Sequence, residues 1–193
     1  VACLNGGNQT LIHGNVIHDN DSHGVNIYSE TTVSLTTATP NQNIVISNNI
    51  IKNNDADDGI KIWDSGAALA GASTITVTGN RIFDDQASPT QGYGVTVQNQ
   101  ADYIFITNNA VYGNGTAGVL IGGGVNANGR VWDNPGYRTL SRGATSIADG
   151  ATINHGLVTT PTTVLVTTSV SGEFASVTAV GATTFTVAIK KHD

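Results

Sequence analysis

Methionine is absent from this 193-residue chain and cysteine occurs once, as Cys3. The first absence denies the surface the adaptable side chains of promiscuous docking faces; the second excludes an internal disulfide. Charge is scarce as well: 11% of residues are Asp, Glu, Lys or Arg, against about 25% in ordinary soluble domains. Solubility therefore rests on Asn, Thr, Ser and Gly. No apolar stretch approaches the roughly 18 residues of a membrane span, and no basic-then-apolar leader is retained. Basic residues are few and unevenly placed. Through Asn134 there are 11 acidic residues against Lys52, Lys61, Arg81 and Arg130, a balance of −7, while from Pro135 onward the balance is +1. An acidic surface of this kind is a poor partner for phosphate backbones, which need clustered Lys and Arg. Nucleic acid is disfavoured; neutral sugars, or acidic ones bridged by a cation, stay open.

What is present is a recurring phrase. It reads Asn15-Val16-Ile17…Asn20…Gly24-Val25-Asn26-Ile27, then Asn49-Ile50-Ile51…Asn54…Gly59-Ile60-Lys61-Ile62. Two further copies are Asn80-Arg81-Ile82…Asp85…Gly94-Val95-Thr96-Val97 and Asn109-Ala110-Val111…Asn114…Gly118-Val119-Leu120-Ile121. The leading Asn positions lie 34, 31 and 29 residues apart. Period-two alternation inside each phrase predicts short strands whose aliphatics face one way, and self-similarity at this scale predicts a stacked solenoid. Variable excess between the fixed segments (29–39, 65–73 and 86–92) is rich in Thr, Ser, Gly and Ala, as loops are. A leucine-rich frame, a six-residue period and a Gly-Gly-x-Gly-x-Asp run are all missing.

These residues resemble the right-handed parallel β-helix family, the fold of pectate lyases, polygalacturonases, alginate-type epimerases and phage tailspikes. The resemblance implies an all-β chain: a right-handed parallel β-helix over residues 1–135, in about five coils, followed by a small C-terminal antiparallel β-sandwich over 136–193. Val1-Ala2-Cys3-Leu4 fits the register of Val25-Asn26-Ile27-Tyr28, so the chain is expected to open in mid-coil, as the C-terminal part of a longer polypeptide, with Cys3 an inward thiol. Stacking at about 4.8 Å turns each column of the repeat into a file of superposed side chains. Asn15, Asn49, Asn80 and Asn109 are expected in one such file, and Asn20, Asn54, Asp85, Asn114 and Asn134 in another, because Asn carries donor and acceptor together and tolerates the left-handed backbone of tight corners. Ile27, Ile62, Val97 and Ile121 should form one interior row.

After Asn134-Pro135-Gly136 the phrase stops. Val- and Thr-rich strands are expected at Ala144–Ile153, Thr162–Thr168, Phe174–Val180 and Thr183–Ile189. The segment is similar to small modules that follow β-helices in phage tail and secreted repeat proteins. His155 reads as a turn histidine, since no second ligand stands at a metal-site spacing.

Function depends on what the outward columns display. Asn26, Lys61, Thr96 and Leu120 form one, with Tyr28, Trp63, Gln98 and Gly122 next to it and His23, Asp58, Tyr93 and Ala117 before the glycines. Rings stack on sugar CH faces and amides pair with hydroxyls, so Tyr28, Trp63, Tyr93, Lys61, Asn26 and Gln98 are the candidate carbohydrate-binding residues. A second column, His18, Lys52, Phe83, Tyr112 and Trp132, offers a similar strip. Asp57-Asp58-Gly59-Ile60-Lys61-Ile62 is similar to the Asp-Asp-Cys-Ile-x-Ile segment of polygalacturonases, whose paired carboxylates activate water and protonate the leaving group. That similarity implies Asp57, Asp58, Lys61 and His23 as catalytic candidates. Ala117 stands where that family has a histidine, and its Arg-x-Lys pair is missing, as are the Asp-Pro-His of the epimerases and the arginine-bearing strand of the lyases. No cofactor is read, with Ca²⁺ at Asp55, Asp57, Asp58 and Asp64 as the one alternative. Asn8-Gln9-Thr10, Asn20-Asp21-Ser22 and Asn114-Gly115-Thr116 match the glycosylation triplet, as chance allows in a chain of this composition.

Three functions follow as expectations. The first is a polysaccharide-recognising β-helix of a phage tailspike-like or secreted surface protein, extracellular or on the virion surface, assembled as a homo-oligomer with a trimer favoured. The second is a polysaccharide-cleaving or epimerising enzyme built on the Asp57/Asp58 cluster. The third is a passive shaft.

Overall fold

A computed structural model describes residues 1–4, 6–29, 40–55, 57–64, 71–99, 101–122, 129–137, 146–157 and 159–191. The chain folds as two units, Val1–Tyr137 and Arg138–Asp193.

In the first unit each of the first four turns of chain contributes three strands and the last contributes two. The first turn has β1 (Ala2–Leu4), β2 (Leu11–His13) and β3 (Val16–His18); the second has β4 (Val25–Ser29), β5 (Gln42–Ser47) and β6 (Ile50–Lys52). Next come β7 (Ile60–Asp64), β8 (Ser73–Thr78) and β9 (Arg81–Phe83), then β10 (Tyr93–Val97), β11 (Asp102–Thr107) and β12 (Ala110–Tyr112), and last β13 (Ala117–Ile121) and β14 (Arg130–Trp132). Every third strand pairs in parallel, giving sheets ordered β1-β4-β7-β10-β13, β14-β11-β8-β5-β2 and β12-β9-β6-β3. This is a right-handed parallel β-helix, as expected. Ala2, Cys3 and Leu4 sit opposite Asn26, Ile27 and Tyr28, in the register foreseen.

The strands of the second sheet are the element that the repeat phrase did not isolate. Their signal is an aliphatic alternation just ahead of each corner Asn: Ile44-x-Ile46, Ile75-x-Val77 and Ile104-x-Ile106, all buried. With Ile12, Ile17, Ile51, Ile82 and Val111 from the strands around them they form one continuous core. The first-sheet row pairs Ile27 with Ile62, Ile62 with Val97 and Val97 with Ile121. Its first three members are fully buried, whereas Ile121, on the last rung, is 44% exposed. Each fully buried aliphatic stabilises by about 1.5–3 kcal/mol, and the parallel ladder aligns them without further instruction.

Corners are made by chemistry local to the sequence. Between the second and third sheets Gly14, Asn48, Gly79, Asn108 and Asp133 take φ of 69°, 55°, 68°, 56° and 51°, the left-handed conformation that Gly, Asn and Asp adopt at low cost. The residue that follows in each coil is an Asn of the ladder. Asn49 Oδ1 accepts both the backbone N–H and the side-chain Nδ2–H of Asn15, Asn80 does the same for Asn49, Asn109 for Asn80 and Asn134 for Asn109. Asn134 therefore extends the first file instead of the second. The second file runs Asn20 to Asn54 to Gln91 to Asn114 through side-chain bonds of 2.7, 2.7 and 2.6 Å. Gln91 takes the place expected of Asp85, because the chain from Asp85 to Gln91 makes a short excursion pinned by Asp84, whose carboxylate accepts the N–H groups of Gln86, Thr90 and Gln91. Asp85 faces outward and holds Lys52 and Asn53.

The second unit contains β15 (Thr152–Asn154), β16 (Glu173–Val180) and β17 (Thr184–Lys191), an antiparallel sheet ordered β15-β17-β16 with a bulge between Val177 and Ala179. Thr162–Thr168 forms no strand, and the strand expected from Ala144 shrinks to Thr152–Asn154, with 144–145 outside the described residues. Thr168 instead commits its hydroxyl to the turn that enters β16, donating to the carbonyl of Glu173 at 2.9 Å.

Candidate functional site

The parallel register of the first sheet superposes Asn26, Lys61, Thr96 and Leu120, and likewise Tyr28 and Trp63. Tyr28 and Trp63 stack with ring centroids 4.2 Å apart and planes inclined by 28°. The Trp63 indole N–H donates to Asn26 Oδ1 at 2.8 Å, and the Lys61 ammonium lies 4.8 Å from the Trp63 centroid. A cation over an indole face is held by the ring quadrupole. Among the described residues Lys61 enters no ion pair. One Trp63 face is thus covered by Tyr28, and the half-buried cluster presents ring edges, an amide and an ammonium outward. Gln98, one coil further, donates its backbone N–H to the Ile62 carbonyl and keeps a half-buried side chain. Thr96 stands in the same column but is 1% exposed, with a hydroxyl that finds no partner among the described residues.

Before the glycines, His23 and the pair Asp57-Asp58 come together, each offering a ligand atom within 4.8 Å of the others. His23 Nδ1 accepts the Asp58 backbone N–H at 3.2 Å and lies 3.4 Å from Asp57 Oδ1. Asp57 Oδ2 accepts from the Ser22 hydroxyl at 3.0 Å. Asp58 is 6% exposed, and its Oδ1 accepts the Tyr93 N–H at 3.1 Å. Its carboxylate thereby caps the entry of β10, a structural duty that competes with proton transfer. Burial pushes the His23 imidazole below its ordinary pKa; the Asp57 carboxylate opposes this, Lys61 adds to it and Asp58 opposes it. The catalytic candidates are therefore neighbours, but of the two carboxylates only Asp57 is open to water. Of the four aspartates read as calcium ligands, Asp57 and Asp58 meet, Asp55 is exposed, and the side chain of Asp64 lies outside the described residues.

On the third sheet His18, Lys52, Phe83 and Tyr112 are superposed as expected. Trp132 is not among them. It pairs with Thr107 in the second sheet and meets Phe105 edge-on at 6.4 Å. Phe83 is 7% exposed because Tyr112 stacks on it at 5.0 Å while Lys52 and Arg81 lie over it at 5.7 and 5.2 Å. The rings of this column are occupied in packing. His155, 6% exposed, accepts the Leu157 N–H on Nδ1 and contacts the Gly181 carbonyl through Nε2, as a turn histidine does.

Two residues of the coils escaped the repeat pattern. Gln91 sits in an excursion of unlike length, and fully buried Asn41 accepts the Gly7 N–H while donating to the Tyr28 carbonyl. Neither has a counterpart at fixed spacing in the other copies, so periodicity could not single them out.

Residues 2–87 match the family model described as right handed beta helix region. No curated protein and no solved structure matches the chain. No helix among the described residues is long and apolar enough to cross a membrane.

Proposed function

We propose that this chain is a polysaccharide-recognising β-helix, of the kind carried by phage tailspikes and secreted surface proteins, and that it binds glycan along the outward face of its first sheet. The observation that carries this reading is the cluster of Tyr28, Trp63, Lys61 and Asn26: a stacked ring pair, its indole N–H fixed by an amide, with an ammonium free of carboxylate partners among the described residues. Side chains on adjacent rungs of a rigid ladder are pre-organised, so little rotamer freedom remains to be lost on binding. Tyr93 and Gln98 extend the strip by one coil, as a linear polymer lying across the strands would require. Extracellular or virion-surface placement and assembly as a homotrimer belong to the same proposal.

The test is a glycan array on the full chain followed by titration of the best polymer. Trp63→Ala and Lys61→Ala should each weaken binding about tenfold, in line with loss of a ring or charge contact of about 1.4 kcal/mol. Saccharide binding unchanged in both variants would place the glycan site elsewhere, and no binding on the array would leave the shaft reading standing. Mass photometry reads the oligomer separately.

A second reading rests on the proximity of His23, Asp57 and Asp58 and makes the chain a polysaccharide-modifying enzyme. Normal turnover of an identified polymer by Asp57→Asn and Asp58→Asn variants would remove these carboxylates from the chemistry, and no turnover of any polymer by the unaltered chain would remove the reading itself.

A further inference from the structure

His23 precedes β4 and Asp57-Asp58 precedes β7, and the ladder holds these two corners one above the other: the Gly24 N–H donates to the Asp58 carbonyl at 3.2 Å and the Val25 N–H to the Gly59 carbonyl at 2.9 Å. No protonation state of His23 satisfies what surrounds it. If Nδ1 carries a lone pair, it accepts the Asp58 N–H at 3.2 Å but confronts the Asp57 carboxylate at 3.4 Å; if it carries a proton, it serves Asp57 and opposes the Asp58 N–H. The imidazole is nearly enclosed, 7% exposed, whereas Asp57 at 38% leaves the cluster open on one side. A multivalent cation between the three groups removes the repulsion between the lone pair and the carboxylate, since it takes the lone pair and both carboxylates at once.

We propose that His23, Asp57 and Asp58 bind a divalent cation of the zinc class, with the remaining positions filled by water. One imidazole nitrogen and two carboxylates suit a borderline metal that accepts nitrogen and oxygen donors in fours. Calcium, which takes six to eight oxygens, is poorly served: the Ser22 hydroxyl is already donated to Asp57, and Asp58 Oδ1 is bonded to Tyr93. Lys61 lies close enough to oppose positive charge at His23, but one ammonium faces two carboxylates. The assignment is independent of saccharide binding and places a metal on a β-helix corner. Binding at Nδ1 displaces the Asp58 N–H.

The experiment is a titration of the full chain with zinc chloride alone, followed by calorimetry and by ¹⁵N–¹H spectra. One cation per chain should bind, with the Asp58 amide resonance displaced. His23→Gln and Asp57→Asn should each weaken binding about tenfold or more, while His18→Ala, at the surface pair with Asp19, should leave it unchanged. Asp57→Asn keeps the shape of the side chain and the Ser22 contact, so it decides the matter even if His23→Gln fails to fold. Absence of zinc uptake, an unmoved Asp58 amide, full affinity retained in Asp57→Asn, or calcium chloride competing on equal terms would each overturn the proposal.

Discussion

The asparagine file shows how a single side chain decides whether a corner can be buried. Asn80 is 1% exposed, accepts two donors of Asn49, and donates to the carbonyls of Ile46 and Thr78. Asn80→Ala leaves the buried backbone N–H of Asn49 without its acceptor, at about 1–3 kcal/mol for an orphaned group; the denaturant midpoint should fall with little change in m. Asp85 belongs to the same scale on the outer surface. Hydrogen bonds from Lys52 and then Asn53 hold its carboxyl below the ordinary 3.8. A depressed carboxyl stabilises the fold above the unfolded pKa and loses that contribution as pH falls through the folded value; the pair is exposed, so the effect on stability is small. Lys52→Met should move the Asp85 carboxyl resonance titration upward toward 3.8, its ordinary value.

Strands three to six residues long cannot stand alone, and their stability comes from the rungs on either side. Ile62 has Ile27 beneath and Val97 above and is fully buried. Ile62→Ala should cost about 2–5 kcal/mol in urea unfolding, since neighbouring rungs restrain collapse into the cavity. The glycine at the entry of β4, β7 and β10 is a packing requirement: a Cβ on Gly59 would lie 2.6 Å from Ile82 Cγ2 and 2.8 Å from the Gly94 carbonyl oxygen. Gly59→Ala should therefore destabilise by about 1–3 kcal/mol through overpacking, and its thermal midpoint should drop. Gly14 is the contrasting case, exposed and with open space around it; Gly14→Asn suits its φ of 69° and should be tolerated.

At the scale of the molecule, each coil of the first unit contacts its neighbours and little else, so stability approximates a sum of rungs and interfaces. The inner coils have partners on both sides, whereas β1 pairs only with β4 among the described residues. Hydrogen exchange should accordingly protect Ile60, Ile62, Val95 and Val97 most and Ala2–Leu4 least; uniform protection along the helix would argue against this nearest-neighbour description.

The stacked architecture, the inward rows and most of the first asparagine file were legible in residue order, because a parallel coil repeats one local rule and equivalent positions are forced into register. Ile27, Ile62 and Val97 need no distant information to find one another. Trp132, Asn134 and Gln91 do. Each lies where a coil departs from the common length, and only the folded ladder assigns such a residue its neighbour: Trp132 goes to the second sheet, Asn134 to the first file, Gln91 into the core. The conflict at His23 is likewise invisible along the chain. It arises because two corners 35 residues apart are stacked within hydrogen-bonding distance, and contact at that range is a property of the closed coil, while periodicity in the sequence records only which residues recur.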